Sequence, residues 1–143
     1  MNIALEQAKL AAERGEVPVG AVIVSPSGDV LASDGNRTRN DNDPTAHAEI
    51  NVIRQACSAL GQDRLSSCDL YVTLEPCAMC AMAIAHARIA RVYYGASDPK
   101  SGGVECGARV FEHAQAHHKP EIYAGISAEE SEVLLKTFFE SLR

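Results

Sequence analysis

The chain has 143 residues, of which 46% are hydrophobic and 22% charged, and its formal net charge is -6. These values are typical of a globular protein with a substantial core, so we expect one domain over residues 1–143. The acidic balance argues against broad, nonspecific attraction to nucleic acid, which normally needs an excess of Lys and Arg. The acidic net charge does not exclude binding of nucleic acid through a local basic rim.

The chain shows no basic segment followed by an apolar run at its start, and no apolar stretch long enough to cross a bilayer. We therefore expect neither a signal peptide nor a membrane partner. Five cysteines are an odd number, and two of them stand at metal-ligand spacing. This pattern disfavours a disulfide framework and favours a reducing, cytoplasmic location.

Hydrophobic periodicity predicts an alternating order of helices and strands. The β-branched run Val19–Val24 predicts a strand covered on both faces, and Ser127–Glu130 has the pattern of a capping box. The predicted elements are a helix over 2–14, strands over 19–24 and 30–33, a helix over 46–60, a strand over 70–74, a helix over 77–86, strands over 92–94 and 122–124, and a helix from 127 onward. This is an α/β order, which predicts a single sheet with helices on both faces.

Four residues in two short motifs form a metal-binding pattern. His47 and Glu49 stand near the start of the predicted helix over 46–60, and Cys77 and Cys80 follow Pro76 at the start of the next helix. Residues three apart share a helix face, and imidazole and thiolate are ligands that suit zinc. Because residues two apart do not share a face, His47 and Glu49 can both reach one ion only if it lies off the helix end.

Three protein ligands leave one position of a tetrahedral zinc ion for water, as in catalytic sites. Glu49 is then the natural proton carrier for that water. Two alternatives stay open at this point. Cys68 or Cys106 could supply a fourth ligand and close a structural site, and Glu49 could be a first-turn carboxylate that interacts with the helix dipole.

The motifs resemble the cytidine deaminase superfamily, and within it the bacterial tRNA-specific adenosine deaminases. His-x-Glu followed by Pro-Cys-x-x-Cys is the general signature of zinc nucleobase deaminases. The similarity covers nearly the whole chain, and the narrower match lies in a few stretches. These are residues 16–21, 35–37, 43–49 and 73–80, and the pair Phe138 and Phe139.

The resemblance implies a five-stranded, mixed-sheet, three-layer α/β/α fold and a homodimer with one zinc ion per subunit. It implies hydrolysis of the wobble adenosine of a tRNA anticodon, such as that of an arginine tRNA, to inosine. His47, Cys77 and Cys80 would hold zinc, and Glu49 would shuttle the proton. Asn36 and the backbone around Ala48 would face the base, although Asn36 alone could equally be a turn residue.

We also expect a set of contacts to RNA outside the metal motifs. A splayed anticodon loop can present an unstacked base to such a pocket, whereas a base inside a duplex cannot. For the two phenylalanines, we expect at least one ring to pack in the core. The candidate RNA contacts are Arg37, Arg39, Asp98, Lys100, Phe138 and Phe139.

Two other functions compete with this interpretation. A deaminase of free guanine, cytosine or cytidine would use the same zinc ion and Glu49, and the acidic net charge fits it slightly better. A noncatalytic zinc scaffold is less favoured, since a scaffold has no use for a carboxylate beside an open ion.

Overall fold

The computed structural model describes residues 1–143, and every predicted helix and strand is present. The helices are α1 (Asn2–Glu13), α2 (Ala48–Leu60), α3 (Ala78–Ala87) and α4 (Ala128–Ser141), with a 3₁₀ turn at Val110–Glu112. The strands are β1 (Gly20–Val24), β2 (Val30–Gly35), β3 (Asp69–Leu74), β4 (Arg91–Ala96) and β5 (Glu121–Tyr123).

The five strands form one mixed sheet in the order β2-β1-β3-β4-β5. β1 pairs antiparallel with both β2 and β3, whereas β3, β4 and β5 run parallel. The parallel arrangement matters for function. It brings the carboxyl ends of β3 and β4, and the loops that follow them, to the same edge of the sheet.

Helices cover both faces of the sheet, which confirms the three-layer α/β/α prediction. α1 and α4 pack on one face, and α2 and α3 lie on the other. The core lies mainly under α2 and α3 and includes Ile23, Val52, Leu70 and Ile84, all fully buried. α1 lies very close to β1 because Gly20 has no side chain. A Cβ there would lie 2.0 Å from the carbonyl oxygen of Ala4.

Two local predictions were wrong. His47 is not in the first turn of α2 but is its N-cap, with extended backbone (φ −70°, ψ 155°). Ser127 does not form a capping box. It adopts a left-handed conformation (φ 56°), its side chain caps nothing, and its carbonyl oxygen instead accepts a hydrogen bond from the Ser131 hydroxyl. Both errors concern backbone dihedrals at a helix start, which side-chain pattern does not determine.

No helix of the protein combines the length and the apolar character needed to cross a membrane.

Candidate active site and metal centre

The N-termini of α2 and α3 meet at one edge of the sheet and bring three ligand atoms together. His47 is the N-cap of α2, Cys77 is the N-cap of α3, and Cys80 lies in the first turn of α3. The Nδ1 atom of His47 lies 3.6 Å from the Cys77 sulfur and 3.5 Å from the Cys80 sulfur. All three ligand atoms lie within 4.8 Å of one another.

These separations fit a tetrahedral zinc ion. A Zn–N bond of about 2.1 Å and a Zn–S bond of about 2.3 Å, at a tetrahedral angle, place the nitrogen and sulfur about 3.6 Å apart. No fourth His, Cys, Asp or Glu joins the group. Cys68 is buried in the core, and Cys106 contacts the Ser97 hydroxyl instead. The closed four-ligand alternative is therefore wrong, and the site keeps one position free of protein ligands.

The thiols are arranged so that one of them is readily ionised even before a metal binds. Hydrogen bonds from the Cys80 thiol and then from His47 lower the pKa of Cys77 to about 4, against the opposing effect of burial. The hydrogen bond with Cys77, together with burial, raises the pKa of Cys80. The N-terminus of α3 adds a partial positive charge that favours thiolate, the form that binds zinc.

Glu49 lies next to the ligand cluster but does not belong to it. The residue is only 4% exposed. Burial raises the pKa of its carboxyl group to about 7, because a charged carboxylate loses its hydration there. A carboxyl group that titrates near neutral pH can both accept and return a proton, as a general acid–base requires.

A cavity of about 190 Å³ opens beside the ligands and Glu49. This volume is below the roughly 300–1,000 Å³ of sites for drug-sized ligands, and it suits a single nucleobase. Its lining residues are Val17, Val19, Asn36, His47, Glu49, Leu74, Glu75, Cys77, Asp98 and Ser101.

Two predicted base contacts differ in how they face this cavity. Asn36 lines it, and the Asn36 side chain is free to bind a ligand, because the hydrogen bonds of this residue use only its backbone. The side chain of Ala48 is fully buried and does not line the cavity. Its backbone N–H lies at the first position of α2, where a helix offers no internal partner, so only the backbone of Ala48 can serve the predicted role.

The small cavity continues into a wider groove of about 750 Å³. The two share Val17, Leu74, Asp98 and Ser101 along their common wall. The outer part of the groove is lined by Ser97, Lys100, Leu135, Phe139, Leu142 and Arg143. A ligand whose reacting base fills the cavity therefore has room for flanking groups outside it.

Similarity to known proteins agrees with this geometry. A family model, the cytidine and deoxycytidylate deaminase zinc-binding region, matches residues 1–96. The tRNA-specific adenosine deaminase of Agrobacterium fabrum is 58% identical over 143 residues, which is 100% of this chain and 93% of that protein. The chain belongs to the cytidine and deoxycytidylate deaminase family, among the tRNA-specific adenosine deaminases.

Two solved structures are similar to this chain to different degrees. One comes from a study of A-to-I editing by tRNA:A34 deaminases at the wobble position of transfer RNA. It is 59% identical, covers 94% of this chain and 97% of that one, and has a TM-score of 0.93. The guanine deaminase of Bacillus subtilis is 43% identical over 67% of this chain and 61% of its own, with a TM-score of 0.64. Family membership and the fitted ligand geometry together confirm zinc as the cofactor.

The residues predicted to contact RNA are not brought to one place. Asp98 lines both cavities, Lys100 and Phe139 line the outer groove, and Arg39 is exposed. Arg37 donates from Nε to both carboxylate oxygens of the largely buried Asp34, at 2.8 and 3.0 Å. That pairing gives Arg37 a structural role within its own loop.

The two phenylalanines also differ from each other. Their rings meet edge to face with centroids 5.4 Å apart. Phe138 is only half-buried and lies outside the core, contrary to our expectation that one ring would pack there. Phe139 is 46% exposed, and its ring faces the groove.

Sequence reasoning missed several residues of the cavity wall. Val17, Leu74 and Ser101 are ordinary residues in the sequence, and only the fold brings the end of β3 and two loops together at the cavity. The sequence did contain a signal for Glu75. A carboxylate between an apolar strand and Pro76 has no obvious partner nearby in sequence, which indicates a partner elsewhere in the fold.

The metal assignment predicts that two cysteines behave differently when replaced by serine. Cys80→Ser should lose zinc, because the remaining His47 and Cys77 leave an incomplete site, and its Tm should fall since metal binding is coupled to folding. Cys106→Ser should retain about one zinc ion per chain, as expected for a residue outside the site. Elemental analysis of purified protein measures both, and a full zinc content in Cys80→Ser would contradict the assignment.

Proposed function

We propose that this protein hydrolyses the wobble adenosine of a tRNA anticodon loop to inosine, with release of ammonia. The observation that carries the proposal is a base-sized cavity, holding an open three-ligand metal site and Glu49, that continues into a wider groove. The relatives named as tRNA-specific adenosine deaminases support the same substrate. A tRNA substrate also implies a cytoplasmic location.

The chemistry divides between the metal and the residues of the chain. Zinc held by His47, Cys77 and Cys80 supplies Lewis-acid chemistry that makes a water molecule nucleophilic near neutral pH. Glu49 accepts a proton from the attacking water as the new C–O bond forms at carbon 6 of adenine, and it delivers a proton to ring nitrogen 1. Glu49 then takes the proton of the new hydroxyl on carbon 6 and gives it to the amine, so that the C–N bond breaks as the C6 carbonyl forms, which gives inosine and ammonia.

The residues of the cavity wall hold the base for this reaction. The side-chain amide of Asn36 offers both a donor and an acceptor to the polar edge of a purine. Val17, Val19 and Leu74 give the cavity apolar walls that exclude water from the base. A nucleotide can enter only when it is unstacked, as in an anticodon loop.

The free-base alternative has less support. A free base would fill the 190 Å³ cavity and leave the 750 Å³ groove empty, whereas nucleotides flanking a wobble base would lie along it. The exposed Phe139 ring in that groove offers a face on which a flanking base can stack. The noncatalytic scaffold does not explain a carboxyl group buried beside an open metal site.

Replacement of Glu49 provides the first test. Glu49→Gln keeps the shape of the side chain but cannot accept a proton, so inosine formation should fall by roughly 10²–10⁴-fold, the usual contribution of a general acid–base. Zinc content should not change. The assay measures inosine in a stem-loop that carries the arginine-tRNA anticodon, with Glu13→Gln on α1 as the matched control. Full turnover by Glu49→Gln would remove this residue from the mechanism.

The same assay tests the substrate. Ammonia release from free guanine, cytosine, cytidine and adenosine is measured beside inosine formation in the stem-loop. We expect the enzyme to act on the stem-loop and on none of the free bases or nucleosides. Activity on a free base or nucleoside without activity on the stem-loop would favour the alternative function.

Lys100 tests whether the groove binds the RNA backbone. Each phosphate contact by a Lys or Arg contributes to the dependence of binding on salt, so Lys100→Ala should reduce the slope of log K against log salt by about one. Lys9→Ala on α1 removes the same charge away from the groove and should leave the slope unchanged. An unaltered slope in Lys100→Ala would exclude this contact.

We also propose that the protein is a homodimer and that α3 contributes to the interface. This helix is apolar on nearly every side, and Met79 remains 37% exposed beside the half-buried Ala83. Ala83 and Ile53 help to line a groove of about 560 Å³ between α2 and α3. Exposed or half-buried apolar side chains on a helix beside a groove are typical of a surface that a second copy covers.

A charged substitution at Ala83 tests this interface. Ala83→Arg places bulk and charge on the outer side of α3 and should shift sedimentation equilibrium from dimer to monomer. Leu10→Arg makes the same kind of change at a site on α1 that is 43% exposed, and it should leave the dimer intact. The proposal fails if the wild-type protein is a monomer, or if Ala83→Arg remains as dimeric as the control.

A further inference from the structure

Glu75 is a buried carboxylate without a counter-cation. It follows β3 directly, precedes Pro76 and is only 2% exposed. No Lys, Arg or His forms a salt bridge with it. Burying an unpaired carboxylate costs several kcal/mol unless hydrogen bonds replace its hydration, so its partners must be strong.

Those partners are backbone N–H groups from both ends of one loop. Oε1 accepts a hydrogen bond from Asp98 N at 3.1 Å. Oε2 accepts hydrogen bonds from the backbone nitrogens of Val104, Glu105 and Cys106 at 3.2, 3.0 and 3.0 Å. A single side chain therefore ties together the start and the end of residues 97–106, which we call the wall loop.

Two further contacts hold the middle of the wall loop against Glu75 and Pro76. The N–H of Gly103 donates to the carbonyl oxygen of Pro76 at 2.8 Å. Gly102 lies so close to Glu75 that a Cβ there would be 2.6 Å from Oε2. The wall loop is therefore wrapped around the carboxylate.

The wall loop carries two residues that shape the base-sized cavity. Asp98 and Ser101 both line it, and Oδ1 of Asp98 accepts the backbone N–H groups of Lys100 and Ser101 at 3.2 and 3.0 Å. By holding the wall loop, Glu75 therefore also fixes the wall that the cavity shares with the outer groove.

Glu75 also lines the cavity, so a direct contact with substrate must be considered. A carboxylate has about four lone-pair sites. Four backbone donors and the Ser97 hydroxyl, 3.4 Å from Oε1, already occupy them. No acceptor capacity remains for a base, and this saturation points to an indirect role.

We propose that Glu75 is a positioning residue for substrate recognition: it folds the wall loop so that Asp98 and Ser101 stand at the mouth of the base-binding cavity. The part of this inference that concerns RNA rests on the proposed function, whereas the anchoring of the loop does not. Glu75→Gln would replace one acceptor oxygen by an NH₂ donor that faces backbone donors, and the loop would lose its anchor.

The test is a double-mutant cycle on the zinc-loaded enzyme with Glu75→Gln, Asp98→Ala and the double variant. We expect each single change to raise KM for the anticodon stem-loop by about tenfold, which corresponds to the loss of one good polar contact. The KM of the double variant should lie within about twofold of the KM of the more impaired single variant, because the effects of residues that act through one contact are not additive. Multiplication of the two effects would overturn the proposal.

Glu16→Gln serves as the matched control for the cycle. Glu16 is 1% exposed and likewise accepts backbone N–H groups, those of Arg39 and Asn40, but from the other loop beside the cavity. Its effect should multiply with that of Asp98→Ala. Loss of zinc in Glu75→Gln would also overturn the proposal, since the residue would then act through Cys77.

Hydrogen–deuterium exchange separates the anchoring from the proposed function. In Glu75→Gln the amides of Val104, Glu105 and Cys106 should exchange about tenfold faster, because local opening becomes easier. Unchanged exchange would refute the anchoring, whatever the substrate. Faster exchange in a protein that does not act on the stem-loop would support the anchoring and refute the RNA part. If Glu75→Gln does not fold, Gly102→Ala disturbs the same contact and should raise KM without multiplying with Asp98→Ala.

Discussion

The site depends on the meeting of two helix N-termini at one edge of the sheet. His47 and Cys77 occupy the N-cap positions of α2 and α3, so their side chains project from the helix ends and not from the helix flanks. Cys80 reaches the same point from the first turn of α3, and Glu49 from the first turn of α2. The partial positive charges of both helix ends favour the thiolates that bind zinc. An ion placed there lies off both helices, which leaves one side open to a substrate.

Around this rigid centre, the loops that form the cavity are held by buried carboxylates. Glu16 accepts backbone N–H groups of the loop that leads to His47, and Glu75 accepts those of residues 97–106. Neither carboxylate pairs with a cation, and hydrogen bonds from peptide N–H groups stabilise it instead. This solution keeps two irregular loops in place with few side chains, because one buried carboxylate can accept several backbone N–H groups at once.

How much of this could be predicted from sequence depended on how local the signal was. The ligands His47, Cys77 and Cys80 and the carboxylate Glu49 stand in two short motifs, and each motif carries its own chemistry. The elements followed from periodicity, with boundaries within two residues. The capping of α4 and the position of His47 outside α2 could not be predicted, since both depend on the backbone dihedrals of one residue. The roles of Glu75 and Ser101 depend on contacts between β3 and a distant loop, and no local pattern specifies such contacts.

The net charge of -6 shows how a whole-chain property can mislead about a site. Of the 19 acidic residues, Glu16, Asp34, Glu49 and Glu75 are buried, and they act within the protein. Glu16 and Glu75 bind backbone N–H groups, Asp34 pairs with Arg37, and burial keeps Glu49 partly protonated near neutral pH. Hydrogen bonds from neutral peptide groups leave the net charge unchanged, and Arg37 is already counted in it, so only the partial protonation of Glu49 makes the protein less acidic than its composition. At physiological salt, screening limits the range of the surface charge to about 8 Å. Within that distance of the groove, the exposed groups that matter include Lys100 and Arg143, which line it, and a local basic rim can operate on an acidic protein.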